Sequence, residues 1–533
     1  MRSSARFISY ETTELFSSLV IDYLKGNSDL DQFYSYPTTS DGINAAIDAR
    51  KNFPTDRVQI QQVFQSAYEH ADPSEKQHEN IALLADENTF TICTAHQPNI
   101  FSGYLYFIYK TAHTIVLASS LSKQFPKYKF VPIFYIGSED NDLEELSVFK
   151  LNDKRYQWKT DQQGAVGRMK VDKQLIDLIG VIESALAHLP HAASLINVLK
   201  KAYHKGNDIA QATFILLNEL FKQEGLLVLQ PDAAGLKEKM KDIFRDDILH
   251  NTAYKIVSET NTRLSVNYKL QVNPREINLF YLHDGIRHRI EKRGSNYIVD
   301  DTAIQFTEEQ ILQELDQSPE RFSPNVILRG LYQETILPNI SFVGGGSEVA
   351  YWMQLKDLFN YYKVPFPLLV LRNSFLIMDQ RQSGRMTDLG LIDADLFKDE
   401  TKLANAFVQQ LFGKEISLAA QLSESEKLFS QIKQKAGEVD ITLLQHVQAL
   451  EAIHLKKLQS LEKKMLRAER KKQQAHLQRI WRLKAELFPN KGLQERVENF
   501  LPYYAKYGPD FISTILEHSR SLEQEFGIIV IED

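Results

Sequence analysis

"TAHQPNIFSGYLYFIYK", residues Thr94–Lys110, joins two unlike segments through a turn crowded with polar side chains. Before it, Phe90-Thr-Ile-Cys-Thr94 is short and β-branched and predicts a buried strand over 90–94. After Gly103, Leu105, Ile108, Ala112 and Ile115 recur at spacings of three and four, predicting an amphipathic helix over 104–122. Lys129-Phe-Val-Pro-Ile-Phe-Tyr-Ile136 reads as the next strand, with Pro132 expected near its start because proline offers no ladder N–H. Strand, helix, strand with this crossover is a βαβ unit, so the core is α/β with a parallel sheet.

Further along, the same grammar returns. Gly137-Ser-Glu-Asp-Asn-Asp-Leu-Glu-Glu145 is an acidic turn directly after the second strand. Ile340–Val343 reads as a strand, Gly344-Gly-Gly-Ser-Glu348 as its turn, and Val349–Tyr361 as a helix with Trp352, Leu355 and Phe359 on one side. Phe366–Leu371 is another strand, ending at Arg372-Asn-Ser374. Ligands of open parallel sheets bind beyond the carboxyl ends of the strands. The turns 95–103, 137–145 and 344–348 are therefore expected to converge on one cleft with Arg372. Gly103 and Gly344, Gly345 and Gly346 allow close backbone approach, and the helices they open favour a phosphate or carboxylate. His96, Gln97, Asn99, Glu139, Asp140, Asn141, Asp142 and Glu348 are the side chains placed over that anion.

The chain of 533 residues has 43% hydrophobic and 25% charged residues, ordinary for a globular protein. Its formal net charge of −7 argues against a wholesale nucleic-acid binder. The first residues lack a secretory pattern, and no run is long and apolar enough for a membrane span. Cys93 is the single cysteine, which excludes an intrachain disulfide and suits a reducing cytoplasm. It sits in the apolar strand, as a packing residue does. No Walker-type loop, dinucleotide fingerprint or H-E-x-x-H helix is present, and no metal ligand set is assigned.

The organisation expected is N-terminal helices and the first half of the core over 1–150, an insertion over 151–325, the second half over 326–400, a helical coiled coil over 401–490, and a returning segment over 491–533. Within the insertion, Asn278–Ile290 reads as a hairpin around Asp284-Gly285. From about 415 one long helical run is expected. Val447, Leu450, His454, Leu458, Leu461, Met465 and Ala468 form a heptad-like seam. It pairs with its copy in a dimer, or with residues 415–440 folded back. Gly527-Ile-Ile-Val-Ile531 supplies a last strand.

At these residues the chain resembles the cysteine-adding enzymes of bacillithiol biosynthesis, the BshC family. Thr94-Ala-His-Gln97, Gly103-Tyr-Leu-Tyr106, Glu139-Asp-Asn-Asp142, Arg329-Gly-Leu-Tyr-Gln333…Leu337-Pro338, Gly345-Gly-Ser-Glu-Val-Ala-Tyr351, Arg372-Asn-Ser374 and Leu487-Phe-Pro489…Leu493-Gln-Glu-Arg496 match its blocks. Departures fall at Ala95, His96, Asn141, Gly330, Gly346 and Ser347. The resemblance implies a Rossmann-like core related to class I aminoacyl-tRNA synthetases, with connecting-peptide insertions and a dimerising coiled coil. It implies a ligase that adds L-cysteine to the glucosamine amine of glucosaminyl malate, and it brings Gln333, Tyr351 and Ser374 into the binding set.

By analogy with the synthetases, an acyl-adenylate route places phosphates at the Gly103 helix start, with His96 stabilising developing charge. Glu139 or Asp142 holds the cysteine ammonium and Arg372 the malyl carboxylates. The activator, ATP or another nucleotide, is left open. Two other classes remain: a synthetase-like nucleotide or RNA binder using the basic helix 456–484, and a non-catalytic coiled-coil scaffold.

Overall fold

A computed structural model describes residues 1–152, 154–407 and 417–532. The chain divides into two compact units, one of Met1–Glu11, Leu15–Ile377 and Gly492–Asp533, the other of Thr12–Glu14 and Met378–Lys491.

The first unit is built on a five-stranded parallel sheet. In spatial order its strands are Leu227–Leu229, Lys129–Ile136, Thr89–His96, Asn339–Gly344 and Leu368–Leu371. Counted along the chain this is 3-2-1-4-5, a Rossmann order that reverses direction beside Thr89–His96. The strands are buried on both faces, so they read as continuous β-branched and apolar runs. Helix Tyr106–Gln124 is the crossover between the first two.

Several boundaries differ from expectation. The first strand runs on through Ala95 and His96, because its pairing with Lys129–Ile136 continues to Ile136. Pro132 sits in mid-strand opposite Ile92, and it is tolerated because the third strand begins pairing only at Ile133. That third strand, Leu227–Leu229, comes from the stretch read as an insertion. The helix expected over 349–361 is two helices, Gly346–Met353 and Lys356–Tyr362.

A second, antiparallel sheet is ordered Gln305–Phe306, Asn296–Val299, Ile286–Arg293, Leu279–His283 and Phe322–Pro324. His283 pairs with Ile286, so Asp284-Gly285 is the two-residue turn the sequence indicates, with Gly285 at φ 69°. The last strand is Glu525–Glu532. It pairs antiparallel with Arg2–Ser9 along all eight residues, in a separate sheet completed by Ser374–Asp379.

In the second unit the long run is three helices, Ala419–Val439, Leu443–Lys472 and Gln474–Leu487; the start of the run, 415–416, lies outside the described residues. The first two fold back on each other: Lys433 pairs with Glu451, Leu418 N–H donates to Glu462 Oε1 at 3.0 Å, and the Phe429 and His454 rings lie 5.4 Å apart. This is the folded-back arrangement of the seam. It buries Val447 but leaves Leu428, Ile432, Leu450, Ile453 and Leu461 exposed.

Candidate functional site

The polar turn of residues 97–103 owes its shape to tertiary partners. Phe101, Ser102 and Gly103 all have positive φ, 51°, 64° and 65°, a run that costs about 1–3 kcal/mol for each non-glycine residue. Tyr203 Oη accepts from the Phe101 N–H at 2.6 Å, and Asn499 Nδ2 donates to the carbonyls of Phe101 and Gly103. A Cβ on Gly103 would lie 3.0 Å from the Cβ of Asn99. The helix start is not an open anion cradle: Gly103 N–H bonds Ile100 O, and Leu105 N–H bonds Glu498 O.

A cavity of about 420 Å³ opens beyond the carboxyl ends of the strands, at the reversal of strand order. The first strand contributes His96 and then Gln97, the second Tyr135, Glu139 and Asp140, the fourth Gly345, Gly346 and Glu348, and the fifth Arg372. Tyr351 also lines it. The convergence expected of the strand-end turns is therefore seen for His96, Asp140, Gly345 and Arg372, but not for Gly103. Asn99, Asn141, Asp142, Gln333, Gly344 and Ser374 also lie outside the lining. Four of these have local work: Asp142 caps the turn Leu143–Leu146, Asn141 holds Arg287, Gln333 bonds Glu334, and Ser374 bonds Arg372 and Glu495.

Three charges of the cavity wall, Glu139, Glu348 and Arg372, are ion-paired within the protein. Lys237, buried, donates to Glu139 Oε1 at 2.6 Å, and Ser323 Oγ donates to Glu139 Oε2 at 2.9 Å. This removes Glu139 as a free counter-ion for a substrate ammonium. Lys110 Nζ and the Gly345 N–H both donate to Glu348 Oε2, at 2.8 and 2.7 Å. Burial alone would raise the Glu348 carboxyl, but Lys110 and the other donors outweigh it and hold it low. The anion at this glycine-rich helix start is thus the protein's own carboxylate. Arg372 meets Glu495 with both prongs of its fork, so that fork is not open to substrate carboxylates. Asp140 accepts from Gln97 Nε2 at 3.0 Å and lies in the field of Arg287.

His96 is a neutral imidazole. Burial, then the Lys110 cation, pushes its pKa down to about 3, and its Nε2 is buried without a partner. A neutral ring can stabilise developing charge only through a hydrogen bond. Sequence reasoning passed over Tyr106, Tyr135, Glu145, Arg287 and Arg329 as cavity residues, and Arg496 beside them. Glu145 lay within the acidic turn, and Arg329 and Arg496 within motif blocks, but nothing local separated them from solvated charges. Burial, with Asp142 and Asp140 nearby, raises the Glu145 carboxyl. Among the described residues no group of His, Cys, Asp and Glu is arranged to hold a metal.

The parallel core with a cavity at its strand reversal defines a Rossmann-like α/β protein, here followed by a helical unit. The model of the "Bacillithiol biosynthesis BshC, N-terminal Rossmann-like domain" matches residues 4–373, and that of the "Bacillithiol biosynthesis BshC, C-terminal coiled-coil domain" matches 375–531. The chain belongs to the BshC family. It is 38% identical to "Putative cysteine ligase BshC" of Flavobacterium johnsoniae over 98% of this chain and 99% of that one. To the protein of the same name from Flavobacterium psychrophilum it is 37% identical, over 98% of each. A solved structure of a "putative arginyl t-RNA synthetase" from Campylobacter jejuni overlaps 84% of this chain and 98% of its own, at 9% identity and a TM-score of 0.22, which is too low to carry an argument.

Proposed function

We propose that this protein joins the carboxyl group of L-cysteine to the glucosamine amine of glucosaminyl malate, forming an amide. Family membership supports the ligase class. The observation that carries the reading to this cavity is its charge pattern: His96 is neutral and unpartnered, and Glu145 has no cationic partner among the described residues. The amine attacks an activated carboxyl carbon, the C–N bond forms, the activating group leaves with its electron pair, and the nitrogen gives up one proton to solvent. The amine must arrive deprotonated. His96 orients it by accepting a hydrogen bond from it, and Glu145 takes the cysteine ammonium that Glu139 and Asp142 are not placed to take. The enzyme works in the cytoplasm as a homodimer, the second copy covering the exposed Leu450, Ile453 and Leu461 of the helical hairpin.

The test is mass spectrometry of the purified protein with L-cysteine, glucosaminyl malate and a panel of nucleotides. The expected product is the cysteinyl amide, and the panel identifies the activator. No product with any nucleotide overturns the reading.

A further inference from the structure

We propose that Arg329 and Arg496 recognise the two carboxylates of the acceptor, so that this cavity selects an amino sugar carrying a dicarboxylate. The proposal rests on the ligase reading and names the side chains that choose its acceptor.

It follows from subtracting the charges already satisfied. Glu139 is matched by Lys237, Glu348 by Lys110, and Arg372 by Glu495. Arg287 faces Asp140 and Glu139, with Nε on Ser323 Oγ and Nη1 on Asn141 Oδ1. Three lining arginines then have no ion-pair partner among the described residues, Arg287, Arg329 and Arg496, and of these Arg287 already stands in the field of two carboxylates, Asp140 and Glu139.

Arg329 is held rigid without being neutralised. It stands in the first turn of helix Val326–Ile336, where its Nη2 donates to Tyr351 Oη at 2.7 Å and its Nη1 to Gln333 Oε1 at 3.4 Å. Its guanidinium lies 5.6 Å from the centroid of Tyr135. Both oxygen partners are uncharged, so the positive charge stays unmatched while its orientation is fixed. Glu348 contributes to the field at Arg329, but its bonds go to Lys110 and Gly345. A planar fork set on aromatic and phenolic supports suits a carboxylate bound edge-on. Arg496, in the turn Gln494–Arg496 next to Glu495, is exposed to solvent and lines the same cavity. One anchor is thus fixed at the wall and one stands at the solvent side, which fits a substrate bearing two anionic groups. A phosphate would present the same charge. Its usual backbone cradle is compromised here, because the Gly345 N–H already binds Glu348.

The experiment is calorimetric titration of the full-length protein and of Arg329→Gln, Arg329→Lys and Arg496→Gln with glucosaminyl malate, glucosamine, inorganic phosphate and L-cysteine, alongside the ligase assay. Thermal melting establishes that each variant is folded; Arg496, being exposed, gives a second test if Arg329→Gln is not. Each Gln variant is expected to weaken glucosaminyl malate about 10- to 100-fold, as loss of a charged hydrogen bond does, with L-cysteine unaffected. Arg329→Lys recovers only part of the loss, since an ammonium lacks the fork. Glucosamine, which has no carboxylate, binds the variants and the parent alike. Unchanged acceptor affinity in both Gln variants, an equal loss for L-cysteine, or inorganic phosphate displacing the acceptor through the same arginines overturns the proposal. If the acceptor binds through these arginines and no amide forms, the ligase reading falls and the carboxylate clamp stands. If Arg329→Gln and Arg496→Gln make product with an unchanged acceptor KM, the clamp falls and the ligase reading stands.

Discussion

Arg372 and Glu495, 123 residues apart in the chain, meet as a two-pronged ion pair at 2.7 and 2.9 Å with neither side chain more than 4% exposed. Arg372 ends the fifth core strand and Glu495 belongs to the segment that returns after the helical unit, so the pair fastens that segment to the sheet. Truncating one member leaves the other charge buried and alone. Arg372→Ala and Glu495→Ala should each destabilise the first unit by about 3–5 kcal/mol, and the double variant by less than the sum. Urea unfolding of the four proteins measures this, and additive losses would mean the two side chains do not interact.

Cys93 should be dispensable for the reaction. It is fully buried in the first strand, and burial raises its thiol well above the ordinary range, so no thiolate is available at neutral pH. Cys93→Ala is expected to form product at the parent rate with a stability loss of about 1–2 kcal/mol from the vacated volume. Loss of turnover in a folded variant would assign the thiol a chemical role.

Acid should weaken the fold through two imidazoles. His96, partly buried, and His113, fully buried, have pKa values lowered from 6.5 to about 3 and about 4, loss of solvation being the main cause in each. The unfolded chain binds protons near pH 6.5 that the folded chain refuses until far lower pH. Stability from both groups is therefore complete above pH 6.5 and is lost progressively as pH falls from there to the folded values. His96→Gln should reduce the slope of stability against pH between 6 and 4 by about one proton, read from urea midpoints at successive pH values. An unchanged slope contradicts the neutral ring.

Gly103→Ala should strain the turn ahead of helix Tyr106–Gln124. With φ at 65° and ψ at −113°, the position suits glycine, and the added methyl meets Asn99 at 3.0 Å. A loss of about 1–3 kcal/mol is expected, together with a weaker acceptor KM because His96 and Gln97 precede this turn. Wild-type melting of the variant would show that the backbone can relax there.

The helical hairpin should pair with a second copy. Leu450→Glu and Leu461→Glu introduce charge where apolar side chains are 46% and 47% exposed. Light scattering should report a dimer for the parent and a monomer for the doubly substituted protein at micromolar concentration. A monomeric parent rules the pairing out.

How much of this was legible beforehand follows from the range of the interactions involved. The strands Thr89–His96 and Lys129–Ile136 and the Asp284-Gly285 hairpin are written in period and turn chemistry, which are local. The convergence of His96, Asp140, Gly345 and Arg372 follows from topology, because parallel strands deliver their ends to one side. The occupancy of those side chains was not legible. Arg372, Glu139 and Glu348 read as free charges until Glu495, Lys237 and Lys110 are placed against them, and those partners lie 123, 98 and 238 residues away. The turn at Gly103 likewise read as an anion cradle because its restraint, Asn499, lies 396 residues further on. Arg329 carries no local mark of exception; it becomes conspicuous only when the other charges have been matched.

The pairing of Arg2–Ser9 with Glu525–Glu532 has a bearing on how the protein is made. The first of these strands leaves the ribosome more than 500 residues before its partner, an interval of about 25–100 s at about 5–20 residues per second. Throughout that time it presents unsatisfied backbone groups, and Arg372, made 123 residues before Glu495, waits for it over the last part of the interval. The nascent chain therefore carries an open strand edge and an unmatched buried cation until its closing segment emerges. That interval is when a holding chaperone would matter most.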